Sequence, residues 1–194
     1  MPEANPLEPA SREILLEVAN GITLRPLRAE DAEAYAALIE DSRAELGRWM
    51  PWANHTHTPD EVRTFIAKVD ERRAQVGGET TFAILVEGSA AGIVDMHEPS
   101  PSHDMASIGY WLGTRFTGRG IMTRSVERFV RFVFEAHPIH RLELYSAVDN
   151  VRSRRVAERA GFAFEGILRE RLKFDDRYLD AALYARFAPR AASE

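Results

Sequence analysis

Met105–Leu112 reads as a strand; glycines follow at 113, 118 and 120, and then a strongly periodic helix. The passage Ile108-Gly-Tyr-Trp-Leu-Gly-Thr-Arg-Phe-Thr-Gly-Arg-Gly-Ile-Met-Thr123 is the segment best suited to chemistry. Glycine is needed where a backbone bends tightly or comes close to a ligand. A strand–turn–helix of this kind aims N–H groups and a helix N-terminus at one spot, which favours an anion. The plainer reading is a loop that binds nothing. Two nucleotide motifs are excluded. Gly113 and Gly118 have the spacing of a phosphate loop, but Arg119-Gly120 stand where Lys-Ser or Lys-Thr must be. A dinucleotide fingerprint fails because Gly118-x-Gly120 is followed by Thr123, not by a third glycine.

Other candidates are weaker. Asp149-Asn150 before Val151 is a good helix-capping pair. His55 and His57 share one face if extended, yet no third ligand accompanies them, so no metal is expected. His97, His103, His137 and His140 have no spacing that points to a site.

The elements that would position these residues follow from periodicity. Residues 1–12 are rich in Pro and Glu and are expected to be a loose tail before a single domain over residues 13–190. Ile14–Val18 and Ile22–Leu27 read as strands around Asn20-Gly21. A helix is predicted from Asp31 to about Glu45, with Ala34, Ala37, Leu38 and Leu46 on its apolar face. Trp49-Met-Pro-Trp52 falls in a loop, and Thr58-Pro-Asp-Glu61 starts a second helix with a capping box. Strands are predicted over 80–87, 91–97 and 105–112, then the helix carrying Val126, Phe129, Val130, Val133 and Phe134 on one side. A strand over 141–148, a helix over 151–159, and strands over 162–171 and 178–187 complete the chain, with Asp175-Asp176 at a hairpin turn. The fold class is mixed α/β, with a mainly antiparallel sheet and helices on both faces. The strand 178–187 is expected at an edge, where a homodimer contact could form.

Composition limits the function classes. The chain has 194 residues, 45% of them hydrophobic, which suits one domain with a real core. Without cysteine there is no disulfide framework, thiolate metal site or cysteine nucleophile. No apolar run approaches the roughly 20 residues of a membrane helix. The first ten residues lack the basic start of a signal peptide, so a soluble cytoplasmic protein is expected. Charge is unevenly placed: residues 1–110 hold 9 basic and 19 acidic side chains, residues 111–194 hold 16 and 11. Arginine, the better partner for bidentate phosphate contacts, supplies all basic residues except Lys68 and Lys173. The second half suits a polyanion and the first half something cationic; solvated Arg-rich helix faces are the bland alternative. Direct nucleic-acid binding is disfavoured by the acidic total and the lack of a basic aromatic patch.

One family unites these signals. Arg115-Phe-Thr-Gly118-Arg-Gly120 resembles the Arg/Gln-x-x-Gly-x-Gly/Ala pyrophosphate loop of the GNAT acyltransferase superfamily. Asp149-Asn150-Val-Arg-Ser153, Val156-Ala-Glu-Arg-Ala-Gly161-Phe162, Glu165-Gly166, Trp49-Met-Pro-Trp52 and Ile108-Gly-Tyr-Trp-Leu112 extend the likeness to the RimJ/RimL-type N-terminal protein acetyltransferases. It covers about Leu24 to Phe187 in unbroken order. The resemblance implies acetyl-CoA as cosubstrate, with the pyrophosphate on Arg115, Gly118, Arg119 and Gly120, together with Ile121 and Met122. It implies backbone contacts from Trp111 and Leu112 to the pantetheine and thioester, in a splay between two strands, and a hydrogen bond from Asn150 to the pantetheine arm. Trp49 and Trp52 would wall the acceptor pocket; core or edge packing is their alternative.

The implied reaction is direct attack of an amine on the thioester in a ternary complex. Many superfamily members place a Tyr acid where this chain has Ala157, so Ser153, one turn after Asn150, becomes the candidate proton donor to the thiolate. Its alternative is a second capping hydroxyl. For the base, the Glu slot of the RimL-like branch holds Leu172, and Glu170, two residues earlier, is expected on the same strand face. An ion pair across the hairpin is the bland reading of Glu170, and a turn or bulge that of Glu165. The acceptor is implied to be a protein N-terminus, a ribosomal protein among the candidates. A small amine such as a polyamine or amino sugar, and a non-catalytic acyl-CoA-binding module, are the rivals.

Overall fold

The computed structural model describes residues 14–19, 21–73 and 80–189. The Pro- and Glu-rich tail 1–12, and Asn20 of the first turn, therefore lie outside the described residues. Among the described residues, eight strands form one sheet: β1 (Leu16–Ala19), β2 (Ile22–Pro26), β3 (Thr80–Val86), β4 (Ser89–Ser100), β5 (Met105–Leu112), β6 (Arg141–Ala147), β7 (Ala163–Phe174) and β8 (Arg177–Phe187). Four α-helices accompany them: α1 (Ala32–Leu46), α2 (Pro59–Arg73), α3 (Ile121–Ala136) and α4 (Val151–Arg159). The strand order is β1-β2-β3-β4-β5-β6-β8-β7, antiparallel except between β5 and β6. The mixed α/β, mainly antiparallel architecture is thus as expected. The edge is not: β8 is enclosed between β6 and β7, so the outer strand is β7 and not the 178–187 segment. Strand β8 turns back from β7 to complete the open side of β6 along its whole length, Arg141 to Ala147.

Alternation along β5 shows how the helices divide. Neighbouring residues on a strand point to opposite faces. Trp111 packs edge-on against Tyr35 of α1, with ring centres 5.9 Å apart. Tyr110, one residue earlier, bonds Ser153 of α4. Helix α1 and helix α4 therefore cover opposite faces, and α3 shares the face of α4, where its Phe129 and Phe132 meet Phe82 of β3 at 5.4 and 5.2 Å.

Helix α1 buries Ala32, Tyr35, Leu38, Ile39, Ser42 and Leu46, the i, i+3, i+4, i+7 stripe of an amphipathic helix. Ala34 and Ala37, expected on that stripe, are exposed, because they lie about a third of a turn or more away from its centre. The capping box of α2 forms: Glu61 accepts the N–H of Thr58 at 2.9 Å, and Thr58 Oγ accepts that of Glu61 at 3.3 Å. On α3, Phe132 is buried and Phe134 only half-buried, so the apolar stripe is centred one position away from that read in the sequence.

Candidate active site

The parallel pairing of β5 with β6 runs only from Met105–Ser107 to Arg141–Glu143. Beyond Ser107 the two strands no longer pair. The result is an opening through the sheet, a cleft of about 260 Å³. Ile108, Gly109 and Tyr110 line it from β5, and Leu144 to Ala147 from β6. Asn150 and Ser153 close one side; Trp49, Met50, His97 and Glu98 close the other.

On the α4 side, Asn150 caps the helix by accepting the N–H of Ser153 at 3.2 Å. Its Oδ1 is thus engaged, and a ligand in the cleft would be met by Nδ2. The Ser153 hydroxyl does not cap. It lies 3.1 Å from the hydroxyl of Tyr110, which also donates to the Ser153 carbonyl at 3.0 Å. Burial pushes the Tyr110 phenol well above its usual range, so it stays protonated throughout neutral pH. Tyr110 was given no role from the sequence. Ala157, the slot to which the family resemblance would give a tyrosine, is fully buried, and the phenol beside Ser153 comes instead from β5.

Past β5, a short 3-10 turn (Thr114–Phe116) leads into the glycine loop. Gly118 and Gly120 have φ of +75° and +69°, the left-handed region that non-glycine residues enter at a cost of roughly 1–2 kcal/mol. Gly120 is the N-cap of α3, and no side chain caps that end. The first N–H groups of α3 thus have no side-chain acceptor, and Arg115 and Arg119 of the preceding loop are exposed. The Arg115 guanidinium lies over the Phe116 ring at 4.8 Å, and the Arg119 carbonyl accepts from Arg124 at 3.1 Å. Ile121 and Met122 turn their side chains into the core. Leu112 is half-buried at the end of β5.

The tryptophans are divided between two sites. Trp49 lines the cleft, whereas Trp52 meets Trp111 at a tilt, ring centres 5.8 Å apart, and lines a separate slot of about 310 Å³ beneath α1 and α2. That slot is largely apolar, with Tyr35, Ile93 and Phe65 on its walls and Asp95 and Glu61 as its acids. His55 lies in the polar loop, 3.8 Å from Asp175.

Glu170 is not where the sequence reading puts it. Leu168 pairs with Ala181 and Leu172 with Leu179, so Arg169, Glu170 and Arg171 bulge opposite the single residue Asp180. Glu170 has φ +53°, is exposed, and gives its N–H to Asp180 at 2.9 Å. The bulge breaks the two-residue alternation on which its placement depended. Arg171 and Leu172 line the cleft, and Glu170 does not. Glu165 also occupies a bulge, between Phe164 and Gly166, and clasps Arg141 at 2.9 and 2.5 Å.

This geometry has counterparts. The family described as Acetyltransferase (GNAT) domain matches residues 22–163. YdaF of Bacillus subtilis, named as a ribosomal N-acetyltransferase by assignment, is 32% identical over 170 residues, 87% of this chain and 92% of that protein. The ribosomal-protein-serine acetyltransferase of Escherichia coli is 25% identical over 171 residues, 88% of this chain and 95% of that protein. Among solved structures, the ribosomal alpha-N-protein acetyltransferase RimL in complex with coenzyme A superposes with a TM-score of 0.84 at 25% identity, covering 90% of this chain and 98% of RimL. With the family pattern spanning most of the sheet and the splayed cleft at its centre, the chain belongs to the GNAT acetyltransferases.

Proposed function

We propose that this acetyltransferase moves the acetyl group of acetyl-CoA to the α-amine of a protein N-terminus, of the ribosomal-protein type, in the cytoplasm. The observation that carries the reading is the cleft through the sheet, open to opposite faces. The donor takes the α4 face. Its pyrophosphate lies on the Gly118–Gly120 turn, the uncapped start of α3 and the guanidinium groups of Arg115 and Arg119. These residues fit an anion: left-handed glycines, outward N–H groups and arginine at one spot. Its pantetheine arm runs along the open edge of β5 at Trp111 and Leu112 and past Asn150. A backbone N–H of that edge polarises the thioester carbonyl.

The acceptor takes the other face, past Trp49, with Trp52 walling the neighbouring slot. Asp95, Glu98 and Glu61 on this side suit a cation. An α-amine has an ordinary pKa of about 7.7–8.0 against about 10.4 for a lysine side chain, so it needs little help to become a nucleophile at neutral pH. Most of the acceleration then comes from holding amine and thioester together, worth about 7–11 kcal/mol in well-oriented systems. As the carbon–sulfur bond breaks, the Ser153 hydroxyl, backed by Tyr110, donates to the departing sulfur.

The test is thiol release from acetyl-CoA against Ser- and Ala-starting peptides, spermidine and an amino sugar. Release with a peptide and not with the small amines is expected. Release with a small amine alone would replace the protein substrate with that class. Binding of acetyl-CoA without release by any amine would turn the reading toward a non-catalytic acyl-CoA-binding module.

A further inference from the structure

The slot beneath α1 and α2 lies beside the cleft, on the acceptor face. Four aromatic rings wall it, those of Tyr35, Trp52, Phe65 and Trp111, and the charged side chains among its lining residues are Asp95 and Glu61. Separate parts of the fold fix the rings. The Tyr35 hydroxyl donates to the Gly92 carbonyl at 2.7 Å, and its ring meets Trp111 edge-on. The loop carrying Trp52 is tied to α1 by Arg43, which donates to the carbonyls of Ala53 and Thr56, and the Thr56 hydroxyl donates to the Trp52 carbonyl at 3.0 Å. Trp52 and Phe65 are nonetheless 39% and 40% exposed. Leaving two such rings wet forgoes the gain of burying them, a gain that an occupant of the slot would supply.

The two carboxylates are held as firmly. Asp95 Oδ1 accepts the Gly109 N–H at 3.0 Å and lies 2.8 Å from His97 Nδ1, on the cleft side. A Cβ at position 109 would fall 2.6 Å from that oxygen, so glycine is what lets Asp95 lie across β5. Glu61 Oε2 accepts the N–H groups of His57 and Thr58 at 2.8 and 2.9 Å, which hold its carboxyl below the usual range and keep it an anion. No Lys, Arg or His stands among the lining residues of the slot. The nearby guanidinium groups have carboxylates of their own, Arg25 on Asp31 at 2.6 Å and Arg43 on Glu40.

This lining selects among occupants. An anion would be repelled, and a purely apolar group would press hydrocarbon against two carboxylates. A cation on an alkyl stem matches both parts: the stem lies on the rings, and the head meets ring faces and carboxylates together. The position is equally informative. Asp95 of the slot pairs in register with Gly109 of the cleft, and Trp52 follows Trp49 of the cleft by three residues. Two residues of strand cover about 7 Å. With the reacting amine in the cleft, the second Cα of an acceptor peptide lies about 3.8 Å beyond the first, and a long side chain from it spans the remainder.

We propose that the slot is a specificity pocket for the second residue of the acceptor, and that it takes a cationic side chain, lysine or arginine. This rests on the reading of a protein N-terminus as acceptor and names the chemistry that would select among such termini.

The experiment measures kcat/KM for thiol release by the full chain with hexapeptides that begin with Ser and differ only at position 2: lysine, norleucine, leucine or glutamate. Norleucine keeps the lysine stem without its charge. Lysine is expected to exceed norleucine by about tenfold, with glutamate lowest. Glu61→Gln, which can still complete the capping box, is expected to cut the lysine-to-norleucine ratio at least about threefold. Asp95→Asn, which keeps an oxygen for the Gly109 N–H, should do the same; calorimetric binding of acetyl-CoA shows that each variant is folded. Norleucine or leucine equal to lysine in the wild type would overturn the proposal. So would a ratio that neither substitution moves, or a lysine preference found at position 3 and not at position 2. Release with spermidine and with none of the peptides would instead bring down the protein N-terminus reading, and the pocket assignment with it.

Discussion

A single hydroxyl separates two roles at position 153. Ser153 follows the cap residue Asn150 by one turn, and its plainer reading is a second capping hydroxyl. In the fold, Asn150 does the capping and the Ser153 hydroxyl turns to Tyr110. Removing it should therefore leave α4 intact. Ser153→Ala is expected to lower kcat by about 10–100-fold while the Kd for acetyl-CoA changes by less than about threefold, measured by steady-state kinetics and calorimetry. Equal losses in both would reduce Ser153 to a contact for the donor. Tyr110 shows why a sequence understates a site: it lies 43 residues from Ser153 and has no spacing relation to it. The pair exists because β5 and β6 diverge and α4 packs over the gap.

At the scale of elements, a turn and a bulge had opposite fates. The glycine turn before α3 is local, set by backbone preferences at Gly118 and Gly120, and it was legible from residue types alone. Open space surrounds a Cβ at 118, so Gly118→Ala is penalised only by its φ of +75° and is expected to lose about 1 kcal/mol of stability. Gly118→Glu should carry the same strain but weaken acetyl-CoA binding at least about tenfold more, since it sets a carboxylate where an anion must lie. Thermal unfolding and calorimetry on the two variants separate these effects, and equal affinities would remove the loop from the donor site. The β7 bulge was not legible. Counting by twos from Leu172 assumes an unbroken ladder, and three residues opposite Asp180 break it.

The whole molecule uses its sheet as a partition. Helices α1 and α2 cover one face and come early in the chain, whereas the arginine-rich turn, α3 and α4 on the other face come after β5. That division agrees with the acidic first half and basic second half of the chain. Among the described residues, no helix is long and apolar enough to cross a membrane. The fold also contains a titratable weak point. His137, at the end of α3, is buried edge-on to Phe132, and its Nε2 has no hydrogen-bond partner among the described residues. Burial holds its pKa below the ordinary value, so the ring is neutral in the native state. Unfolded chain takes up a proton at a pH where the folded form still refuses it, and stability therefore falls as pH drops through the ordinary imidazole range, about 6.5 and below. His137→Leu is expected to shrink the drop in Tm between pH 7.5 and 5.5 by a few degrees, each kcal/mol being worth roughly 2–4 °C in a domain this size. An unchanged drop would place the acid sensitivity elsewhere.

Periodicity and turn chemistry in the sequence determined the strand and helix sequence, the glycine turn and the family, because each depends on contacts within one element or on short motifs. The Thr58–Glu61 box and the Asn150 cap are of this kind, with every partner within four residues. The tertiary structure decided which strand became the edge, which tryptophan faced the cleft, and which ionisable groups met there. His97 with Asp95 and Gly109, and Tyr110 with Ser153, are brought together by the registers of β4, β5 and α4. Those registers are set by burial summed over the whole sheet, a quantity that no local spacing encodes.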